Sequence, residues 1–161
     1  MHSLRPADPG HTLPELLAAL ALLGILLSLA VPSFAELRTE WSLRAATRLV
    51  LTGLAEARLA ALTTGEGMRL CPSADGQRCA DGPASGLLVQ SNAAGESPLR
   101  SLMLPRRVAL SANRPAVAYH PWPRTASPVT VTLCIVPARL RSRQLVVSET
   151  GRVRVIKAGA C

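Results

Sequence analysis

From Leu16 to Val31 the chain reads LLAALALLGILLSLAV, sixteen residues without a charge and with only Gly24 and Ser28 among the aliphatics. Counted from His11, about 21 residues at ~1.5 Å rise give ~30 Å, the thickness of a bilayer core. Such a segment is, or begins as, a membrane span. Whatever lies beyond it must then fold as a tethered domain within the remaining 130 residues from Pro32 onward. One carboxylate, Glu15, stands at the edge of this run, where charge is expensive unless it is paired.

Three readings account for Glu15. The first is local: Thr12-Leu13-Pro14-Glu15 fits the S/T-x-x-E capping box, and Pro14 in the first turn forfeits no intrahelical bond. The second is a secretory signal peptide cut after Ala35, with Ser33 and Ala35 as the small residues of the site. Its leader would be weak, because Arg5 is offset by Asp8 and Glu15. The third is intermolecular. If the chain is cut after Gly10, the new α-amino group at His11 lies about one helical turn from Glu15. The amino terminus of a neighbouring subunit then supplies the opposite charge, and Glu15 sets the register of packed helices.

Beyond Val31 the pattern remains helical and becomes amphipathic. Leu43, Ala46, Val50, Leu54, Ala57 and Ala61 recur at steps of three and four, an apolar stripe at helix period. Glu40 precedes Arg44 by four residues, a favourable pair. The spacing predicts one helix from about Thr12 to about Thr63, ending near Gly65, with Pro32 removing a backbone donor inside it. From Gly67 the signals change to short strands: GMRLC, GLLVQ, RSLML, RVAL, AVAYH, VTVTLCIV, RQLVVS and GRVRVIK. SETG reads as a hairpin turn, and Asn113–Pro128, with four prolines, reads as a surface loop. The expected class is α+β: a long N-terminal helix covered along its stripe by a small antiparallel β domain.

Four cysteines behind a membrane segment point to two disulfides in an oxidising compartment. Three pairings are formally open. Cys71 and Cys79 flank PSADGQR, with a turn at Asp75-Gly76, which favours Cys71–Cys79 and leaves Cys134–Cys161. A zinc site is the rival, but Cys71 and Cys79 lack the short spacing of zinc ribbons. No metal, cofactor or nucleophile–base pairing is expected. His2, His11 and His120 are scattered, and the chain reads as a non-enzyme.

The formal charge of +8 is lopsided: residues 1–96 carry −2 and residues 97–161 carry +10, where Glu149 is the sole acid. This asymmetry points to a polyanion or a membrane surface, although a compositional preference for Arg over Lys explains part of it. In GRVRV as a strand, Arg152 and Arg154 share one face and Val153 and Val155 the other. Arg139, Arg141 and Arg143 repeat the every-second spacing. With Lys157 these residues are expected to form one patch, with Gly151 allowing close approach of a nucleic-acid backbone. Arginine pairs bidentately with phosphate, so binding to DNA should be indifferent to sequence and dependent on salt. The simpler reading is that Arg152 and Arg154 keep an exposed strand edge soluble. Tyr119, His120 and Trp122 offer stacking surfaces for single-stranded DNA, but Trp122 is expected in the core.

GHTLPELLAALALLGILLSLAVPSF resembles the class III leader and N-terminal helix of type IV pilins and pseudopilins. Gly10 matches the leader glycine, Glu15 the glutamate at mature position five, and Gly24 and Pro32 the positions that soften the helix. His11 and Pro14 depart from the usual Phe and Ile or Val. AEARLAALTTGEGMRLCPSADGQRC, GLLVQ and LVVSETGRVRVIKAGAC are similar to FimT/GspH-type minor pilins, whose C-terminal G-R-x-R is matched by Gly151, Arg152 and Arg154. The resemblance implies a leader at 1–10, a transmembrane helix half at 11–32, an amphipathic half at 33–64 and a β head at 65–161. It further implies cleavage between Gly10 and His11 by the prepilin peptidase, methylation, and passage through the inner membrane with the head in the periplasm. Assembly with other pilins through Glu15 follows. The FimT branch implies DNA capture for natural transformation; the GspH branch implies a structural role in type II secretion without DNA.

Overall fold

The computed structural model describes residues 12–92, 98–136 and 141–161. The leader with Gly10 and His11, and Arg139 of the arginine series, lie outside the described residues.

A single helix, α1, runs Leu13–Thr64. It stops at Gly65, whose φ of 74° and N–H bond to the Ala61 carbonyl (3.2 Å) make the left-handed cap that a residue with a Cβ adopts only with strain. Compactness divides the chain into two units, the first ending at Arg38 and the second running Thr39–Cys161. In the first unit Leu16, Leu20, Leu23, Leu27, Ile25, Val31 and Phe34 are among the side chains that stand exposed. The helix contains a window of mean hydropathy 2.4 with none of it buried, long and apolar enough to cross a membrane.

The second unit is the head. Strands β1 (Met68–Ser73), β2 (Gly86–Ser91), β3 (Arg100–Met103), β4 (Val108–Ala112), β5 (Val117–His120), β6 (Thr125–Ala126), β7 (Val129–Ile135), β8 (Ser142–Val147) and β9 (Val153–Ala158) form two sheets. One has the order β3-β2-β1-β5-β6, the other β4-β7-β8-β9. Every pairing is antiparallel. All six residues of the helical stripe, Leu43 through Ala61, are buried in one cluster with residues of both sheets, among them Leu70, Val89, Leu133 and Leu145. Burial on this scale is what holds the lower helix on the sheets, since an isolated helix is marginal in water.

At Gly53 the helix packs tightly on the sheet. A Cβ there would stand 2.9 Å from Leu102 Cδ1 and 3.2 Å from Leu70 Cδ1, so the gap between helix and sheet has no room for a side chain. The Pro-rich stretch differs from the surface loop expected of it. It contains β5 and β6, a short hairpin in which Tyr119 pairs with Ala126 and His120 with Thr125. Its prolines sit at the turn and at the strand ends, where no ladder N–H is needed.

The structure joins Cys71 to Cys79 and Cys134 to Cys161, with Cα–Cα separations of 5.6 and 6.1 Å. The second bridge ties the C-terminus to β7, three strands into the sheet that β9 ends.

Candidate functional site

The GRVR segment begins in a three-residue hairpin between β8 and β9. Ser148 N–H bonds to the Arg152 carbonyl at 3.0 Å, and Gly151 N–H to the Ser148 carbonyl at 2.8 Å. Gly151 closes the turn at φ 75°, the left-handed last position that such turns reserve for glycine. It is buried: a Cβ would meet Arg58 Nη1 and Tyr119 Cε1, each at 3.4 Å. The close approach that this glycine permits is therefore made by the chain's own helix and β5.

Strand alternation then separates the cations. Arg154 stands opposite Val146 on the outer face of the sheet, and Arg152 lies two residues before it, in the turn that leads into β9. Both are exposed, and among the described residues neither has a carboxylate in ion-pair range. Lys157 lies on the opposite face, in register with Arg143. The single patch expected from the sequence is thus split, because residues an odd number of steps apart on a strand point to opposite faces.

Arg143 is withdrawn further. It shares the inner face with Leu133 and Leu145, its side chain is 13% exposed, and its Nη2 donates to Glu40 Oε1 on α1. The same oxygen accepts from Arg44 Nε at 3.2 Å. Desolvation pushes the Glu40 carboxyl up, but the hydrogen bonds and charges of Arg44 and Arg143 outweigh it and hold the group below its usual value. Arg143 fastens helix to sheet, and we assign it no ligand. Arg141 is exposed immediately before β8, where its carbonyl accepts from Ile135 N–H at 3.4 Å.

Beside the hairpin the structure assembles residues that linear spacing did not connect. Arg58, Tyr119, His120, Arg124, Thr150 and Gly151 line a cleft of about 70 Å³. Tyr119 is buried, and burial pushes its phenol up to about 12, with the nearby Arg58 charge pulling the other way. Trp122 contradicts the expectation of a core position: it is 81% exposed. It sits at the tip of the β5–β6 hairpin between Pro121 and Pro123, outside the buried cluster of the described residues, and the Arg124 guanidinium carbon lies 5.5 Å from its ring centroid. No periodicity could have found Arg58, which α1 brings, with Ala61 and Leu62, to a cleft otherwise lined by the β5–β6 hairpin and the β8–β9 turn. Among the described residues no cluster of His, Cys, Asp or Glu could hold a metal ion, and every cysteine is in a disulfide.

The family model described as "Type II transport protein GspH" matches residues 46–151, more than half of the chain. The chain belongs to the GspH family. The FimT/GspH-type resemblance read from the sequence therefore holds at family level, and the match ends at Gly151, one residue before the exposed arginines. Two crystal structures of the type IV minor pilin FimU of Pseudomonas aeruginosa are similar to this GspH-family chain. One has a TM-score of 0.57 at 21% identity, covering 80% of this chain and 98% of the crystallised one. The other has a TM-score of 0.55 at 19% identity, covering 73% and 98%. The minor pseudopilin EpsH of the Vibrio cholerae type 2 secretion system aligns with a TM-score of 0.47 at 13% identity, covering 74% and 95%. A search of curated protein sequences gives no match. The FimU likeness shows the type IV pilin-like α+β fold.

Proposed function

We propose that this GspH-family chain is a minor pilin of FimT type, incorporated in a pilus through its helix and binding DNA without sequence preference during uptake. The observation that carries the DNA reading is exposed Arg154 on the outer face of edge strand β9 with exposed Arg152 just before it, neither having a carboxylate in ion-pair range among the described residues. Two guanidiniums on alternate residues of an extended backbone stand ~7 Å apart, a spacing that suits successive phosphates. Exposed Lys157, on the other face of the same strand, and Arg141 contribute to the positive field rather than to that pair. In this reading the prepilin peptidase cuts between Gly10 and His11 and methylates the new terminus. The apolar helix resides in the inner membrane with the head in the periplasm until assembly. Glu15, exposed on the first turn, pairs with a neighbouring pilin's amino terminus.

A second reading, a GspH-type minor pseudopilin of a type II secretion system with no DNA role, draws on the family's description. One titration separates them. The full chain in zwitterionic detergent is mixed with duplex DNA at several salt concentrations, beside an Arg152→Ala/Arg154→Ala variant. Each phosphate contact contributes about 0.9 to the slope of log K against log salt, so the variant should lose about 1.8 from that slope. Absence of binding at low salt to both the duplex and a single strand of equal length would discard the DNA reading and leave the secretion role.

A further inference from the structure

Three elements that are distant in sequence meet at the hairpin. The last turns of α1 bring Arg58, the β5–β6 hairpin brings His120 and Arg124, and the β8–β9 turn brings Thr150 and Gly151. The two hairpins are fastened to each other, since Ala126 N–H donates to the Glu149 carbonyl at 2.7 Å. Neither Arg58 nor Arg124 has a carboxylate in ion-pair range among the described residues. Two guanidiniums, an imidazole and two threonines share the lining of about 70 Å³ with Ala61, Leu62 and Tyr119, and the paired guanidiniums suit a compact anion. The space is far below the roughly 300–1,000 Å³ of pockets that enclose larger organic ligands.

Trp122 adds a second, different chemistry beside this cleft. A large aromatic that is 81% exposed among the described residues is the kind of group that folding ordinarily hides. Its orientation is nonetheless restrained, by prolines on both sides and by the Arg124 guanidinium on its ring. Arg124 thus belongs to both features: it lines the cleft and holds the indole. An anion seat joined to a restrained, solvent-facing π surface matches one nucleotide unit, phosphate plus base. A base inside a duplex is stacked on its neighbours and cannot reach such a surface, whereas a base of a single strand can.

We infer that the cleft between Arg58 and Arg124 seats a backbone phosphate of single-stranded DNA while the adjoining unpaired base stacks on Trp122. This rests on the reading of the head as a DNA binder and names the strand form that the hairpin selects. Glu149, on the same turn as Thr150 and Gly151, opposes an anion in the cleft and moderates its affinity.

The test uses the full chain in zwitterionic detergent with a fluorescent oligothymidylate and a duplex of equal length. Trp122→Ala is expected to weaken the single strand about tenfold or more while changing the duplex less than about twofold, and Trp122→Phe should restore most of the loss. Arg58→Met, which removes the guanidinium that lies against Gly151 and keeps a side chain of similar length, should weaken the single strand and flatten its salt dependence; Glu149→Gln should tighten it. Equal effects of Trp122→Ala on both forms, or none on the single strand, overturn the inference. In that case duplex binding that still depends on Arg152 and Arg154 leaves the general DNA reading standing, whereas loss of all binding by the wild type removes both. Because Trp122 lies outside the core, unchanged thermal unfolding should accompany each Trp122 variant.

Discussion

A Cβ at position 53 would stand 2.9 Å from Leu102 Cδ1, in a helix whose neighbouring Leu54 is itself buried, so the helix–sheet distance is set by a missing side chain. Gly53→Leu should destabilise the head by about 1–3 kcal/mol through overpacking, read as a lower urea midpoint with an unchanged slope. Tyr119 offers a spectroscopic counterpart. It is the only tyrosine, and its phenol is pushed up to about 12 by burial. A raised pKa means that the folded state holds the proton more tightly than the unfolded one. Its contribution is full below the ordinary tyrosine range and is lost as pH rises through the raised value. Alkaline titration should show no phenolate absorbance near pH 10 in the folded head, and its appearance there would contradict the burial.

The β8–β9 hairpin is held from three sides: by the Ser148–Arg152 turn, by Arg143 anchored on Glu40, and by the Cys134–Cys161 bridge beyond β9. Cys134 and Cys161 are 27 residues apart against 8 for Cys71 and Cys79, and the longer closed loop loses more unfolded-state entropy. Loop-closure reasoning gives about 3.5 kcal/mol for the first and about 2.6 for the second. Paired Cys→Ser variants should therefore rank in that order in chemical unfolding. Loosening β9 should also weaken DNA binding, whereas removing Cys71–Cys79 should not. Glu40 supplies the pH dependence of this element. Its carboxyl is held below the usual range, so folding favours the charged form. That contribution is present above the ordinary carboxylate pKa and fades as pH falls below about 4. Glu40→Gln should cost about 1–2 kcal/mol at neutral pH, less than a fully buried pair, and flatten the acid limb of the stability profile.

For the molecule as a subunit, everything depends on whether the apolar segment is kept. Mass spectrometry of the mature product is expected to give His11 as the first residue; Glu36 would mean that a signal peptide was removed and that no stalk exists. Glu15→Ala should leave membrane insertion intact and reduce recovery in sheared fibres several-fold, because the lost contact is between subunits. Normal recovery would reduce Glu15 to the capping role its spacing from Thr12 also permits.

Periodicity alone carried the backbone of this chain a long way. The stripe from Leu43 to Ala61, the strand runs and the SETG hairpin were legible because each depends on side chains close in sequence, repeating at 3.6 or 2.0 residues. The destination of the arginines was not legible. Whether Arg143 faces solvent or Glu40, and whether Lys157 joins Arg154 or opposes it, depends on strand register and on which face the helix covers. Trp122 was misjudged for the same reason: hydrophobicity says that a side chain gains from burial, but only the packed molecule decides whether there is a core beneath it. Local pattern specifies elements; contacts between distant elements decide which of their charges and rings remain to meet a ligand.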